Sequence, residues 1–315
     1  MADLETGAQA RPTVVLVIGM AGAGKTSLMG QIEDTLKRRR AGPTSTSPAP
    51  SEAGYLINLD PAVLNLSYEP NVDIRDTVNY KNVMKQYNLG PNGGILTSLN
   101  LFATRFDQVI ALCEKRRETP LEYVVADTPG QIEIFTWSAS GAIISEAFAS
   151  AFPTVVAFVV DTPRCSSPQT FIANMLQACS IIYKTRLPLV LVFNKVDVCP
   201  HTFATEWMQD FDAFARALDA DPSFSASFSR SLSLVLEEFY ENIPSVGVSA
   251  ATGEGMDELF KKIDACREEY EREYRPVLEE RKAQRQRMEQ AVEEARKAKD
   301  VERLVKDMGG ASLDT

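Results

Sequence analysis

One stretch leaves this chain little freedom in how its N-terminal part folds: Gly19-Met20-Ala21-Gly22-Ala23-Gly24-Lys25-Thr26. It follows an apolar, β-branched run of strand length (13–18) and precedes a segment able to continue as a helix (27–40). Strand, Gly-rich loop and helix, with the spacing G-x-x-x-x-G-K-[ST], form the context of a phosphate-binding P-loop. The glycines let backbone N–H groups turn inward around a phosphate, and the helix N-terminus adds a favourable dipole. Gly22, Ala23, Gly24, Lys25, Thr26 and Ser27 then become nucleotide-binding positions. Lys25 would reach the β- and γ-phosphates, and the Thr26 hydroxyl would ligate Mg²⁺. A chance Gly-rich turn after a buried strand does not account for the full pattern. The sequence reads as a nucleoside triphosphate binder.

A second run points to the base. Segment 187–193 reads as another buried strand and delivers Asn194-Lys195-Val196-Asp197 at its C-terminal edge. The Asp197 carboxylate can accept from both N1–H and the 2-amino group of guanine, a donor pair adenine does not present. Asn194 would tie loops together and face the purine, while the Lys195 stem covers the ring. A last strand, 243–248, ends in Ser249-Ala250, the position at which GTPases offer a backbone N–H to the guanine O6. The alternative for the first of these runs is a polar strand end; the order and spacing of the three signals argue against coincidence.

A third run supplies a hydrolytic switch. The short apolar segment 121–126 ends in Asp127-Thr128-Pro129-Gly130-Gln131. D-x-x-G after a strand puts the Asp127 carboxylate near Mg²⁺ and the Gly130 N–H near the γ-phosphate, whose loss would release the loop. Gln131 sits where GTPases carry the residue that orients the attacking water. Glu133 is either a second water-positioning carboxylate or a solvated helix-start residue stabilised by the dipole.

Six apolar strand-like runs, near 14–18, 55–59, 123–126, 155–161, 189–193 and 246–249, alternate with helical stretches. Their apolarity is continuous, as for strands buried on both faces of a parallel sheet. The expectation is an α/β, three-layer P-loop NTPase fold with a mainly parallel sheet. Every nucleotide motif then falls at a strand's carboxyl end, where such folds bind ligands. The expected organisation is a disordered N-terminus (1–11), a GTPase domain (12–275) and a charged helical or disordered tail (276–315). Within the domain, 41–53 is a low-complexity loop and 61–119 a helical insertion. Leu259, Ile263, Cys266, Tyr270 and Tyr274 recur at helical spacing and should pack on the body, after which Pro276 interrupts. A solvated helix is the default for the tail, and a partner-binding arm is the other reading.

With 315 residues and a formal charge of -10, the chain has the wrong sign for phosphate-backbone binding, so no direct nucleic-acid contact is expected. No apolar run reaches the length of a membrane span. The 5 cysteines are scattered, which fits reduced thiols.

Between the P-loop and Asp127 lie far more residues than a minimal small GTPase places there. That stretch carries Asn58-Leu59-Asp60-Pro61-Ala62, which ends the second strand with a carboxylate beside the phosphates, and Gly90-Pro91-Asn92-Gly93-Gly94. Alone, the latter is an ordinary turn signal. In company with the other motifs the chain resembles the GPN-loop GTPases over about residues 12–274. The resemblance implies a Mg²⁺-dependent GTPase whose two nucleotide sites face each other across a dimer. It implies that the loop matching Gly90, Pro91 and Asn92 reaches the partner subunit's phosphates, and that Asp60 belongs to the hydrolytic site with Gln131 and Glu133. Eukaryotic members are linked to cytoplasmic assembly and nuclear import of RNA polymerase II. The long charged tail is most similar to that of the first of three eukaryotic paralogues, which pairs with another paralogue. The resemblance leaves homodimer and heterodimer both open.

Two other classes compete. P-loops also serve small-molecule kinases, which need a lid of arginines over the phosphates, whereas Asn194–Asp197 and Gln131 suit base recognition and water attack. A metallochaperone GTPase needs clustered soft ligands. The single histidine, His201, and the dispersed cysteines offer none, and His201 beside Pro200 reads as a surface loop residue.

Overall fold

The computed structural model describes residues 11–41, 54–115, 121–219, 243–290 and 293. Seven strands form one sheet in the order β3-β2-β4-β1-β5-β6-β7, every pair parallel. They are β1 (Thr13–Gly19), β2 (Gly54–Asn58), β3 (Val72–Asp73), β4 (Tyr123–Asp127), β5 (Thr154–Asp161), β6 (Leu189–Asn194) and β7 (Ser245–Val248). The three-layer α/β expectation holds, and six of the seven strands lie where continuous apolarity placed them. The two-residue β3 carries no such signal. It is set by Asn71, whose side chain accepts from Leu56 N (2.7 Å) and docks this edge onto β2.

Parallel strands need both faces covered, and period-two alternation assigns the side chains. Val15 and Val17 of β1 share a core with Leu28, Met29, Ile32 and Leu36 of α1 (Lys25–Ala41). Leu259, Phe260, Ile263 and Cys266 of α12 (Met256–Glu269) complete that layer. The alternate residues Val14, Leu16 and Ile18 are equally buried and face the other layer. There α7 (Ala139–Ala151) packs on β1 and α9 (Pro168–Thr185) on β6. Because β1 sits between β4 and β5, connections leave it in both directions, and a crevice opens at its carboxyl end.

The insertion is helical, as expected: α2 (Ile74–Thr77), α3 (Tyr80–Gln86), α4 (Pro91–Ala103) and α5 (Phe106–Lys115). The remaining described helices are α6 (Ile132–Thr136), α8 (Thr162–Cys165), α10 (Thr202–Gln209) and α11 (Phe211–Asp219). The 41–53 loop falls, apart from Ala41, outside the described residues, as does 1–10 of the N-terminus.

The chain divides into two compact units, Met1–Tyr270 and Glu271–Thr315. Leu259, Ile263, Cys266 and Tyr270 are buried in the first, as their spacing predicts. Tyr274 belongs to the second unit and is half-buried. Pro276 does not end the helical path. A π-turn covers Tyr270–Tyr274 and residues 275–290 are helical. Arg275 pairs with Glu271 and Glu279, and Arg285 with Glu289, on this charged helix.

Candidate functional site

The loop after β1 turns through two glycines with positive φ, Gly22 (85°) and Gly24 (88°), a backbone that side chains rarely adopt. A Cβ on Gly24 would also lie 2.6 Å from Asn194 Nδ2. Lys25 is buried at the start of α1, and its ammonium donates to the carbonyls of Gly19 (2.7 Å) and Met20 (3.3 Å). Burial pushes the Lys25 pKa below its ordinary value, against the pull of Asp127 and Asp60. These carbonyls satisfy a cation that is poised inside the loop.

Thr26 and Asp127, 101 residues apart in sequence, meet where α1 starts and β4 ends, with Thr26 Oγ1 donating to Asp127 Oδ2 at 3.0 Å. Burial pushes Asp127 up to about 6, with Lys25 and the Thr26 hydroxyl acting in the opposite direction. Its other oxygen, Oδ1, is buried with no hydrogen-bond partner. A hydroxyl and a carboxylate with a free buried oxygen form a hard oxygen donor set suited to Mg²⁺, which keeps several waters and phosphate oxygens as its other ligands. The residues present fit the ion.

Beyond β4, Thr128 Oγ1 donates to Val17 O (2.8 Å), fastening the switch segment to β1. Asp60 spans two loops: Oδ1 accepts from Ala62 N (2.9 Å) and Oδ2 from Gly130 N (3.3 Å). The Gly130 N–H that sequence reasoning aimed at a γ-phosphate thus meets the Asp60 carboxylate. Asn58 steadies Asp60, its amide donating to Asp60 O (3.2 Å) and to Asp73 Oδ1 (3.0 Å). Gln131 is the N-cap residue of α6 without a side-chain cap bond, and Glu133 lies in the first turn; both are exposed.

A cleft of about 710 Å³ brings Gln131 and Glu133 together with Asn92, Gly93 and the phosphate-loop residues Met20 and Ala21. The Gly90-Pro91-Asn92 run, a turn signal when read alone, opens a helix. Gly90 is the N-cap and Pro91 the first residue of α4, so Asn92 projects from a helical first turn. Gly94 serves packing rather than approach to a charged group, since a Cβ there would lie 2.5 Å from Met84 Cγ and 2.8 Å from Tyr80 Cε2 on α3.

On the other side of the crevice, Asn194 ties three segments, as its position implied. Its amide donates to Ala23 O (2.9 Å), and its carbonyl accepts from Lys195 N (2.8 Å) and Ala250 N (3.1 Å). Ala250 N, expected to face a guanine O6, therefore has Asn194 as a partner. Lys195 Nζ reaches Gly22 O (2.8 Å). Asp197 is exposed and accepts from Ser249 Oγ at 2.6 Å, which aims its carboxylate.

Residues no motif announced also enter. Tyr68 OH lies 3.4 Å from Asp127 Oδ2, Ser67 Oγ donates to Thr26 O at 2.5 Å, and Asp161 pairs with Lys195. Nothing local in the sequence marks them. His201 lies in the turn before α10, as its N-cap, but is half-buried rather than on the surface, stacked on Phe193 with ring centroids 6.0 Å apart.

Sheet order, loop placement and the oxygen pair define a P-loop NTPase of the parallel α/β class. Residues 17–269 match the family described as "conserved hypothetical ATP binding protein". The chain is 61% identical over 270 residues to GPN-loop GTPase QQT2 of Arabidopsis thaliana, covering 86% of this chain and 68% of that protein. It is 56% identical over 281 residues to GPN-loop GTPase 1 of Dictyostelium discoideum, covering 89% of this chain and 68% of that one. The apo-form crystal structure of a GTPase from Pyrococcus abyssi superposes with a TM-score of 0.66 at 24% identity, over 80% of this chain and 96% of the other, which bears on the fold. The chain belongs to the GPN-loop GTPase family. The adenine in the family's description and the guanine in its members' names disagree, and the Asn194-to-Asp197 run sides with guanine.

Proposed function

We propose that this chain binds GTP with Mg²⁺ in the crevice at the carboxyl end of β1 and hydrolyses it to GDP and phosphate as one half of a dimeric switch. One observation carries the reading: Lys25, the Thr26–Asp127 pair and the Asn194–Asp197 run, scattered along the chain, converge around one crevice. In this scheme Gly22 to Ser27 wrap the phosphates, and Lys25 leaves its loop carbonyls for the β- and γ-oxygens. Thr26 and Asp127 hold Mg²⁺, which supplies charge neutralisation on the phosphates. Asp197 reads the guanine edge, Asn194 keeps its loops in register, and Ser249 and Ala250 border the base. Gln131 orients the attacking water, with Glu133 and Asp60 as supporting carboxylates. The Asp60–Gly130 bond is the contact that a γ-phosphate would replace, which couples nucleotide state to the switch segment.

The resemblance implies a dimer, and the rim of the cleft supports that reading, with Met20, Leu96 and Trp137 41%, 37% and 58% exposed. Apolar side chains around a charged catalytic cleft suit a covering partner. That partner is another copy or a paralogue, whose Asn92-equivalent would donate to phosphate or water without adding charge. The cellular task we assign is assembly and nuclear import of RNA polymerase II, with the protein moving between cytoplasm and nucleus. No group of three or more metal-ligating side chains occurs among the described residues, so a metallochaperone role gains nothing.

The test mixes Asn92→Ala subunits with Gln131→Leu subunits. Phosphate release from GTP should return in mixed dimers, with ATP a poor substitute. No recovery in a confirmed mixed dimer would mean that the loop acts within its own chain, whose cleft it lines with Gln131, or not at all.

A further inference from the structure

We propose that Asp161 is a positioning residue for nucleotide binding: it fixes Lys195 against the phosphate loop and so joins the base-recognition strand end to the P-loop. The inference rests on the nucleotide lying between Gly22–Thr26 and Asn194–Asp197, as read above. None of the recognised motifs contains Asp161.

Asp161 is the last residue of β5 and the register partner of Asn194 on β6. It occupies the N-cap of α8, the position at which an aspartate ordinarily accepts from the helix's free N–H groups. Here it makes no side-chain cap bond. Its carboxylate, only 10% exposed, accepts instead from Lys195 Nζ at 2.7 Å and lies 3.6 Å from Arg164 Nε. A group that leaves its local task undone and faces a neighbouring loop is engaged by that loop.

Lys195 needs such a hold. Its backbone adopts φ 71°, a left-handed conformation unfavourable for a long side chain. Its Nζ simultaneously donates to Gly22 O, the apex of the positive-φ turn. Arg164 leans on the same turn, its Nη1 3.3 Å from where a Gly22 Cβ would stand. Two cations therefore converge on one loop residue, and Asp161 is the anion between them. Removing its charge leaves Lys195 with a neutral carbonyl and a like charge nearby. The ammonium then swings into solvent, and the stem that would cover the base loses its fixed position.

The experiment compares wild type, Asp161→Asn, Lys195→Ala and the double variant in the full chain with Mg²⁺, measuring affinity and release of a fluorescent GDP. Asp161→Asn should raise Kd about tenfold, equivalent to about 1.4 kcal/mol, through faster release. The double variant should bind like Lys195→Ala alone, because both changes break one strut. KM for GTP should rise while kcat at saturation holds, and the urea midpoint of the nucleotide-free protein should stay put. Unchanged Kd in Asp161→Asn, losses that multiply in the double variant, or a midpoint falling with affinity would each overturn the proposal. A wild type that binds no guanine nucleotide would overturn the site reading beneath it.

Discussion

Asn194→Ala is the change whose cost can be worked most directly from contacts. The side chain is 1% exposed and makes three hydrogen bonds: to Ala23 O in the phosphate loop, and from Lys195 N and Ala250 N in the two loops flanking β6 and β7. Alanine deletes all three and leaves a carbonyl and two N–H groups without partners. A buried polar group left unsatisfied costs about 1–3 kcal/mol. Lys195 and Ala250 are only half-buried, so water can reach them, and the lower end of that range applies to each. Ala23 is fully buried, so its carbonyl takes the whole of that range, and the sum is about 3–5 kcal/mol. For a domain of this size a loss of 1 kcal/mol moves Tm by roughly 2–4 °C. We therefore predict a drop of about 6–20 °C in nucleotide-free protein, measured by thermal denaturation with chelator, with urea midpoints as an independent check. The same variant should bind GDP more weakly, because Gly24 packs against the Asn194 amide and the loop loses its brace. Should Asn194→Ala melt within a degree of wild type without nucleotide, the residue is not the tie between the three segments, and the reasoning fails.

Other sites give sharper chemical readouts. Asp197→Asn should weaken GTP by about 2–4 kcal/mol and favour xanthine nucleotides, whose 2-carbonyl a side-chain amide can satisfy; calorimetric titration showing unchanged GTP affinity would remove the guanine assignment. Gln131→Leu, at the start of α6 beside the cleft, should still bind GTP while its single-turnover rate falls at least tenfold, or about 1.4 kcal/mol in barrier. Lys25→Ala should instead lose binding, and hydrolysis by Gln131→Leu at the wild-type rate would move water positioning to another residue. Gly247→Ala should destabilise the fold by about 1–3 kcal/mol, since the new Cβ would stand 2.2 Å from His201 Nδ1 beneath β7; an unchanged urea midpoint would show that His201 moves aside freely.

The phosphate loop, the central strands and the guanine run were legible because each is a local pattern. Glycine spacing fixes the turn at Gly22 and Gly24, and continuous apolarity marks strands such as β1 and β5 that are buried on both faces. Asn194's bridging role was legible too, since a strand-end amide beside Lys195 and Asp197 has little else to do. Tertiary structure decided the rest. Pro91 and Asn92 read as a turn because Pro-Asn-Gly is a turn signal, yet Gly90 caps a helix there, held by the close packing of Gly94 on α3. The packing of His201 was hidden because its partners, Phe193 and Gly247, lie on strands whose neighbourhood no local spacing reveals. The same holds for Tyr68 against Asp127 and for Asp161 against Lys195, pairs separated by 59 and 34 residues. A residue that acts through its own backbone geometry writes a motif into the sequence; one recruited by a distant loop is fixed only when the sheet brings the strand ends together.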